Sequence, residues 1–469
     1  MKNRVIKSIV ASSLLFSVVS PVLADTTEDL INALIAKGVL TKQEGNLLSK
    51  KAEAENNNSG KVKFKKGGGF SIESGDGESN MKVAGRIQLD YRNFDSPQGT
   101  SANSKAADGF DIRRAYLGVA GTFNKNYGYK FTGSFGSSTK LDEGYLEFKH
   151  IKKAKLRMGQ FKMPMSLEER TSSRFLNFTE RSYVNNSSLT AGKEVGIMLH
   201  GTPAKGVNYA FAIANGYGQN VDMPDDRADG LEFIGHIDTD LATRNKWKNK
   251  VVHLGASYSY QSDMAFSSSS SYEIKQQSLG KGQEFFKTAL SATPTDMKRS
   301  RYGLEFAFAE GNKKFQTEYA NASYDTNLSG SQDISAFYVD VGIMLTGESY
   351  SKSYKSKSAG GKFDRIKPNA NFNVNTLRGG AWEVMAGTSK FDASDITSTS
   401  AGLKLASSTG NTNEATSYRI GLKFIPDPNT RILLSYVDTD FEGENKSIVK
   451  SGATISDERA INLRMQYDF

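Results

Sequence analysis

The 469-residue sequence contains no cysteine. That absence excludes a disulfide-stapled scaffold, a thiolate metal site and a cysteine nucleophile. Histidine is scarce, with four in all: His150, His200, His236 and His253. None stands in a Gly-x-His-x-Ser lipase pattern, and no two have the spacing of a metal-binding pair. Each reads as structural, so neither an enzyme nor a bound cofactor is expected. Past the N-terminal leader there is no run of about 18 apolar residues, the length a membrane-spanning helix needs, and the mean hydropathy is −0.49. A helical membrane bundle is thereby excluded. A β-barrel is not, because it alternates its lipid-facing residues with polar ones. The length admits two or three domains or one large barrel.

What is present begins with targeting. Lys2, Arg4 and Lys7 form a basic segment, Ile9 to Val19 an apolar one, and Pro21-Val22-Leu23-Ala24 closes on a small residue. Residues 1–24 therefore read as a signal peptide cut after Ala24. Lys and Arg total 60 against 51 Asp and Glu, a formal charge of +9. Losing the leader leaves the chain basic, but export argues against a nucleic-acid partner. Residues 25–55 have a helical pattern, with Leu30, Ile31, Leu34 and Ile35 on one stripe, a stop at Gly38, and Thr41 and Glu44 at capping-box spacing. This segment is either a small amphipathic hairpin or a self-associating, coiled-coil-like periplasmic stub. Residues 56–80 read as a linker, with Asn56-Asn57-Asn58, Gly67-Gly68-Gly69, Gly75 and Gly77. The glycine triplet lacks P-loop context.

From Met81 to Phe469 the period is two. Ile461, Leu463, Met465, Tyr467 and Phe469 alternate with Asn462, Arg464, Gln466 and Asp468. A strand that alternates up to a terminal aromatic resembles the closing strand of bacterial outer-membrane barrels, a class in which the terminal Phe is part of the signal read by the barrel assembly machinery. Sixteen such segments run from 81–92 to 457–469, an even number as bacterial barrels require. The fold class is all-β: a sixteen-stranded antiparallel transmembrane barrel behind a short helical segment, surrounded by outer-membrane lipid. With the first strand running outward, long outer connections, among them 93–110, 163–193, 261–300 and 391–415, alternate with short inner ones. Residues 347–378 break that rule, being long on the inner side; a further hairpin would accommodate them.

Polar parity assigns Arg86, Arg114, Lys130, Lys155, Arg157, Arg419, Lys423 and Arg464 to the lumen, with Asp90, Glu147, Glu194, Glu305, Glu318 and Asp340. A basic wall favours an anion that has shed part of its hydration. Arg113 has lipid-facing parity and needs a bulge or a rim position to reach the pore. The acidic stretch Asp222, Asp225, Asp226, Asp229 has oxygen ligands for Ca²⁺ but no EF-hand spacing, and reads as a solvated outer loop. The serine run 267–271 reads as a loop tip.

Several segments resemble the phosphate-selective porin O and P family. They are Phe110-Asp111-Ile112-Arg113-Arg114-Ala115-Tyr116-Leu117, Gly159-Gln160-Phe161-Lys162-Met163-Pro164 followed by Ser166 to Ser173, Leu345-Thr346-Gly347-Glu348, Gly380-Ala381-Trp382-Glu383, and Pro426 to Arg431. The helical stub ending Lys37-Gly38-Val39-Leu40-Thr41 is also similar. The resemblance implies a trimeric sixteen-stranded porin of the bacterial outer membrane whose third outer loop enters the lumen; the strand count places 163–193 at that position. It implies a constriction made by Arg113, Arg114, Tyr116, Ser172, Ser173 and an acid matching Asp142. The family's loop lysine is replaced by Glu169, beside Arg170. The anion pathway is therefore expected to comprise Arg113, Arg114, Tyr116, Arg170, Ser172, Ser173, Arg86, Lys130 and Arg157, with Arg170 and the two serines facing Arg114 and Tyr116. The function expected is a water-filled channel for small anions, phosphate or polyphosphate among them. The alternatives are a general diffusion porin without anion specificity and a non-conducting barrel serving as a surface adhesin.

Overall fold

The computed structural model describes residues 23–469 except 59, 66–68, 96–107, 137, 222–229, 263, 265–272, 293, 295, 357–358 and 451–452. The leader up to residue 22, the acidic stretch 222–229, the serine run 267–271 and Gly67-Gly68 lie outside the described residues. Two helices, α1 (Leu23–Ala36) and α2 (Lys42–Asn58), form one compact unit. Gly38 turns the chain at φ +70°. The capping box is formed: Glu44 N–H donates to Thr41 Oγ1 at 3.2 Å, and Thr41 N–H donates to Glu44 Oε2 at 2.9 Å. Ile31 is buried in this hairpin, while Leu30, Leu47 and Leu48 stay exposed.

The second unit is the barrel. Its strands are β1 (Asn80–Phe94), β2 (Gly109–Phe123), β3 (Tyr127–Phe135), β4 (Thr139–Phe148), β5 (Lys155–Lys162), β6 (Lys193–Ala204), β7 (Val207–Ala214) and β8 (Glu232–Asp240). They continue as β9 (Lys250–Gln261), β10 (Met297–Glu310), β11 (Lys313–Thr326), β12 (Gly330–Met344), β13 (Ala381–Asp392), β14 (Glu414–Asp427), β15 (Thr430–Glu442) and β16 (Asp457–Asp468). Each pairs antiparallel with the next, and β16 closes on β1 from Ala460↔Phe94 to Asp468↔Arg86. The sheet is thus a closed antiparallel barrel of 16 strands. Closure satisfies the backbone groups that an open edge would leave bare in lipid.

Alternation sets the faces as expected. On β16, Ile461, Met465 and Tyr467 are exposed on the outside, whereas Asn462, Arg464, Gln466 and Asp468 are buried on the inside. The residues expected as linker include two short strands, Lys61–Lys65 and Gly69–Glu73, which pair with each other, and the second also pairs with β1. Gly69, at φ +72°, passes so close to the barrel end that an added Cβ would lie 2.6 Å from Val83 O.

Residues 347–378 add no wall strand. Their first part folds into the lumen as a 3₁₀ turn (Tyr350–Lys352) and a two-residue hairpin, Tyr354–Lys355 with Lys362–Phe363, while residues 367–378 are largely exposed. Tyr350, Tyr354 and Phe363 are buried there. Tyr350 OH donates to Glu383 on β13 at 2.6 Å, and Gly361 N–H donates to Asp238 on β8 at 2.9 Å. The length that broke the alternation rule is therefore in large part lumen filling, not a hairpin of the wall.

The closing seam depends on one small residue. Phe469 and Gly85 exchange backbone hydrogen bonds of 3.1 Å in both directions. A Cβ on Gly85 would meet the Phe469 ring at 2.6 Å, whereas one on Gly235 would meet nothing within 4 Å. Gly85→Val is expected to destabilise the seam by about 1–3 kcal/mol through overpacking. It should lower the temperature at which the folded band disappears on unboiled SDS gels; Gly235→Val should leave that temperature unchanged.

Candidate functional site

Residues 163–192, between β5 and β6, enter the barrel and are almost wholly buried. Their anchor is a single helical turn, α3 (Leu167–Arg170), capped by Ser166 Oγ, which accepts from Glu169 N–H at 3.1 Å. Its first two amides donate to the Glu318 carboxylate on β11 at 2.9 and 2.7 Å. Arg170 forms a two-pronged ion pair with Glu305 on β10, at 2.9 and 2.6 Å, and donates to Gly361 O of the inner segment at 3.2 Å. His253 reaches the same carboxylate at 2.9 Å and bonds Tyr354 OH at 2.7 Å. The Glu168 carboxylate takes Ser182 N–H and Oγ–H and the Asn185 amide; burial pushes its pKa up against the pull of Arg419.

The loop and the inner segment therefore press against the β8–β14 side of the lumen. The fifth outer loop joins them, with strands Lys275–Gln277 and Glu284–Leu290. Phe285 packs edge-on against Tyr183 and Phe391 at ring distances of 5.9 and 5.6 Å. Basic residues on this side are consumed in pairs. Arg419 meets Asp340 at 2.8 Å and is 1% exposed, and Lys423 meets Glu383 at 2.8 Å. Arg464, on the last strand, meets Asp90 at 2.6 Å.

Solvent reaches the opposite side, along β1–β5. Side-chain exposure is 31% for Lys130, 31% for Arg174 and 22% for Lys162. Arg86 lies over the Tyr116 ring at 4.3 Å, and its NH1 is 3.5 Å from Ser172 Oγ. Its Nε has no partner among the described residues. Ser173 O accepts from Gln88 at 3.1 Å, and Gln88 Oε1 accepts from Arg114 at 3.1 Å. The two serines thus lie against Arg86 and Gln88 of β1, which in turn contact Tyr116 and Arg114 of β2. Lys130 pairs with Glu143, Arg157 with Glu147, and Lys193 with Asp142. Glu169 lies 3.2 Å from Lys162 and 3.1 Å from Arg181. Burial would raise its pKa, but Arg181, Lys162 and Lys193 hold it below the usual range.

Two bulges override alternation on this side. Between β1 and β2 the register passes from Gln88↔Arg114 to Leu89↔Ile112, so Arg113 is the extra residue. It turns inward with Arg114 and grips Glu180 of the loop at 2.8 and 2.9 Å. Between β3 and β4 the extra residue is Asp142, which joins Glu143 in the lumen. A bulge sets two neighbours on the same face.

At the inner mouth three guanidiniums share one carboxylate. Asp468 meets Arg431 at 3.1 Å and Arg174 at 3.5 Å, and also pairs with Arg365. All three lie around the Phe175 ring, at 5.1 Å for Arg174, 5.3 Å for Arg365 and 4.8 Å for Arg431.

One expectation needs correction. Arg170 does not face Arg114 and Tyr116. It points to the far wall, because Glu305 is buried there and needs a cation. The sequence reading missed Glu180, Arg174, Arg181, Lys162, Lys193 and Arg365. Four are loop or inner-segment residues, which no strand parity covers. Lys162 and Lys193 are the strand residues that flank the loop, where the alternating pattern stops.

The family model of the phosphate-selective porins O and P matches residues 81–469. Porin O of Pseudomonas aeruginosa is 27% identical over 352 residues, spanning 69% of this chain and 75% of that protein. Among solved structures, the fold is similar to an anion-selective porin from Comamonas acidovorans, with a TM-score of 0.52 at 10% identity over 84% of this chain and all of that one. It is also similar to OmpT of Vibrio cholerae lacking loop L8, with a TM-score of 0.50 at 11% identity and coverage of 84% and 100%. At these identities the two structures bear on the barrel fold alone.

The Arg170–Glu305 pair ties the third loop and the inner segment to one wall, with side-chain exposures of 6% and 1%. Breaking a buried pair of this kind costs about 3–5 kcal/mol. Arg170→Ala is expected to free both segments and to give a larger, noisier single-channel conductance in planar bilayers. A conductance trace identical to the parent protein would show that the pair does not hold the constriction.

Proposed function

The chain belongs to the phosphate-selective porin O and P family, and we propose that in this member small anions cross the bacterial outer membrane along the lane between β1–β5 and the third outer loop. The observation that carries this reading is the charge balance of the lane. Arg86, Lys130, Arg157, Lys162, Arg174, Arg181 and Lys193 border it, against Asp142, Glu143, Glu147 and Glu169. An ion in a narrow aqueous path sheds part of its hydration and needs replacement donors. Guanidinium offers five N–H groups and stays charged at any working pH. Ser172 adds a hydroxyl beside Arg86 and Arg174. The inner-mouth cluster of Arg174, Arg365 and Arg431 extends the positive field toward the periplasm.

Phosphate belongs to the anions carried, with a moderate preference and not a strict one. Glu169 stands where the family has a lysine, and although Lys162 and Arg181 neutralise it, it adds no donor. In this reading residues 1–24 are removed on export, Phe469 engages the assembly machinery, and the barrel works as a homotrimer. The trimer rests on the family resemblance and on the exposed Leu30, Leu47 and Leu48 of the helical hairpin. The assembly is expected to resist SDS when cold and to run as a monomer after heating; a monomer mass in mild detergent would count against it.

Reversal potentials under a KCl gradient test selectivity. The wild type is expected to prefer chloride to potassium. The preference should fall between about 0.1 M and 1 M salt as the Debye length shrinks from about 10 Å to about 3 Å. Arg174→Glu should lower or invert it. A cation-selective wild type would remove the basis of the assignment.

A further inference from the structure

Resting on that anion-channel reading, we infer that Glu180 sets how tightly this channel holds an oxyanion, because its carboxylate is a tethered stand-in for the ligand. Arg113 gives it both prongs, Nε to Oε1 at 2.8 Å and NH2 to Oε2 at 2.9 Å. Arg464 donates NH2 to Oε1 at 3.0 Å, and Arg92 stands 4.0 Å away. This is the arrangement in which guanidinium groups take a carboxylate or a phosphate. The Glu180 side chain is 4% exposed while Arg113 is 28% exposed. Part of the Arg113 side chain is therefore open to water, while its fork is occupied from the loop side.

The surrounding charges show what removing that carboxylate would leave. Arg92, Arg113, Arg114 and Arg464 converge there. Asp90 takes two bonds from Arg464, at 2.6 and 2.7 Å, and one from Arg92 at 2.9 Å. Asp111 lies 3.7 Å from Arg92 but is half-exposed. Arg114 is bonded to the neutral Gln88. Lys281 of the fifth outer loop bonds Asn186 of the third loop at 2.9 Å. Without Glu180, four guanidiniums would face the single buried carboxylate of Asp90, and Arg113 would turn its free fork toward the lane. Burial acts to raise the Glu180 pKa, but Arg113, Arg114 and Arg464 hold it well below the usual carboxylate range. The stand-in is thus charged at every working pH. An oxyanion that reaches Arg113 must compete with a carboxylate fixed by its own backbone, so it passes without a long stay.

The test is a phosphate titration of the chloride current through the purified full-length protein in planar bilayers. Glu180→Gln keeps the shape and removes the charge. It is expected to lower the half-blocking phosphate concentration roughly tenfold, the worth of a charge-assisted hydrogen bond. Adding Arg113→Gln to Glu180→Gln should return the value to near that of the wild type, which a general loosening of the loop would not do. Glu180→Asp, shorter by one methylene and still charged, should fall between wild type and Glu180→Gln, and it decides the matter if Glu180→Gln does not assemble. Wild-type block from Glu180→Gln, or a double variant that keeps the full gain, would overturn the inference. A wild type that is not anion-selective under the KCl gradient would instead overturn the functional reading, so the two failures are distinguishable.

Discussion

A backbone amide in the hydrocarbon layer has no water to bond, so a sheet that crosses a membrane must close on itself. Closure through β16 and β1 is the constraint from which the rest of this molecule follows. Once the sheet is closed, every strand has one side in lipid and one in the lumen, and alternation sends most charged side chains of the wall inward. The lumen then holds many ions in a small volume of intermediate dielectric, where an unpaired charge is costly. The inserted segments answer most of that cost on one side. The third loop, the fifth loop and the inner segment 347–378 cover β8–β14 and pair or bury its ions, as with Arg419 and Asp340. The β1–β5 side is left to water, and the charges that keep their field are there.

Two bulges carry exceptions to alternation on the wet side. A regular strand could not present Arg113 and Arg114 together to the lumen, nor Asp142 and Glu143. Each bulge sacrifices a ladder position to double the local charge. The first adds a guanidinium and the second a carboxylate, and each new charge is met by a partner from the loop or its flank, Glu180 in one case and Lys193 in the other. The strand distortion and the loop contact therefore form one structural unit.

Much of the fold was legible because the lipid constraint writes itself into the sequence with period two. All sixteen segments read from 81–92 to 457–469 correspond to wall strands, with ends that differ by a few residues. The parity of Arg86, Lys130 and Arg157 was readable for the same reason, and the need for a bulge or a rim position at Arg113 followed from its wrong parity. The interior was not legible in this way. A segment folded inside a barrel is held by irregular side-chain contacts that have no period. Nothing local to Glu180 announces that it will meet Arg113, 67 residues away, and nothing local to Arg170 announces Glu305. Residues 347–378 were visible as an anomaly of length, but their direction depended on buried partners such as Glu383 and Asp238, whose need for donors appears only when the wall is assembled.

Selectivity then follows from a difference, and the difference is set mainly by the inserted segments. Beside the Arg113–Arg114 pair, the wall of β1–β5 offers Arg86, Lys130 and Arg157 against Asp142, Glu143 and Glu147. The third loop and its flanks bring Lys162, Arg174, Arg181 and Lys193, together with Glu169 and Glu180. The inner segment brings Arg365. Glu169 and Glu180 are clasped by cations at 2.8 to 3.2 Å and Glu168 is held by Ser182 and Asn185, whereas Arg174 keeps only a 3.5 Å contact to a carboxylate that three guanidiniums share. An acid in a close pair has little field left beyond the pair, while a cation with a shared partner keeps most of its own. The same loop can therefore carry several carboxylates into the lumen and still leave the water beside it positive. Evolution at such a site need not alter the barrel. Changing which loop acids are paired, and with how many guanidiniums, is enough to change what the lane favours and how long it holds it.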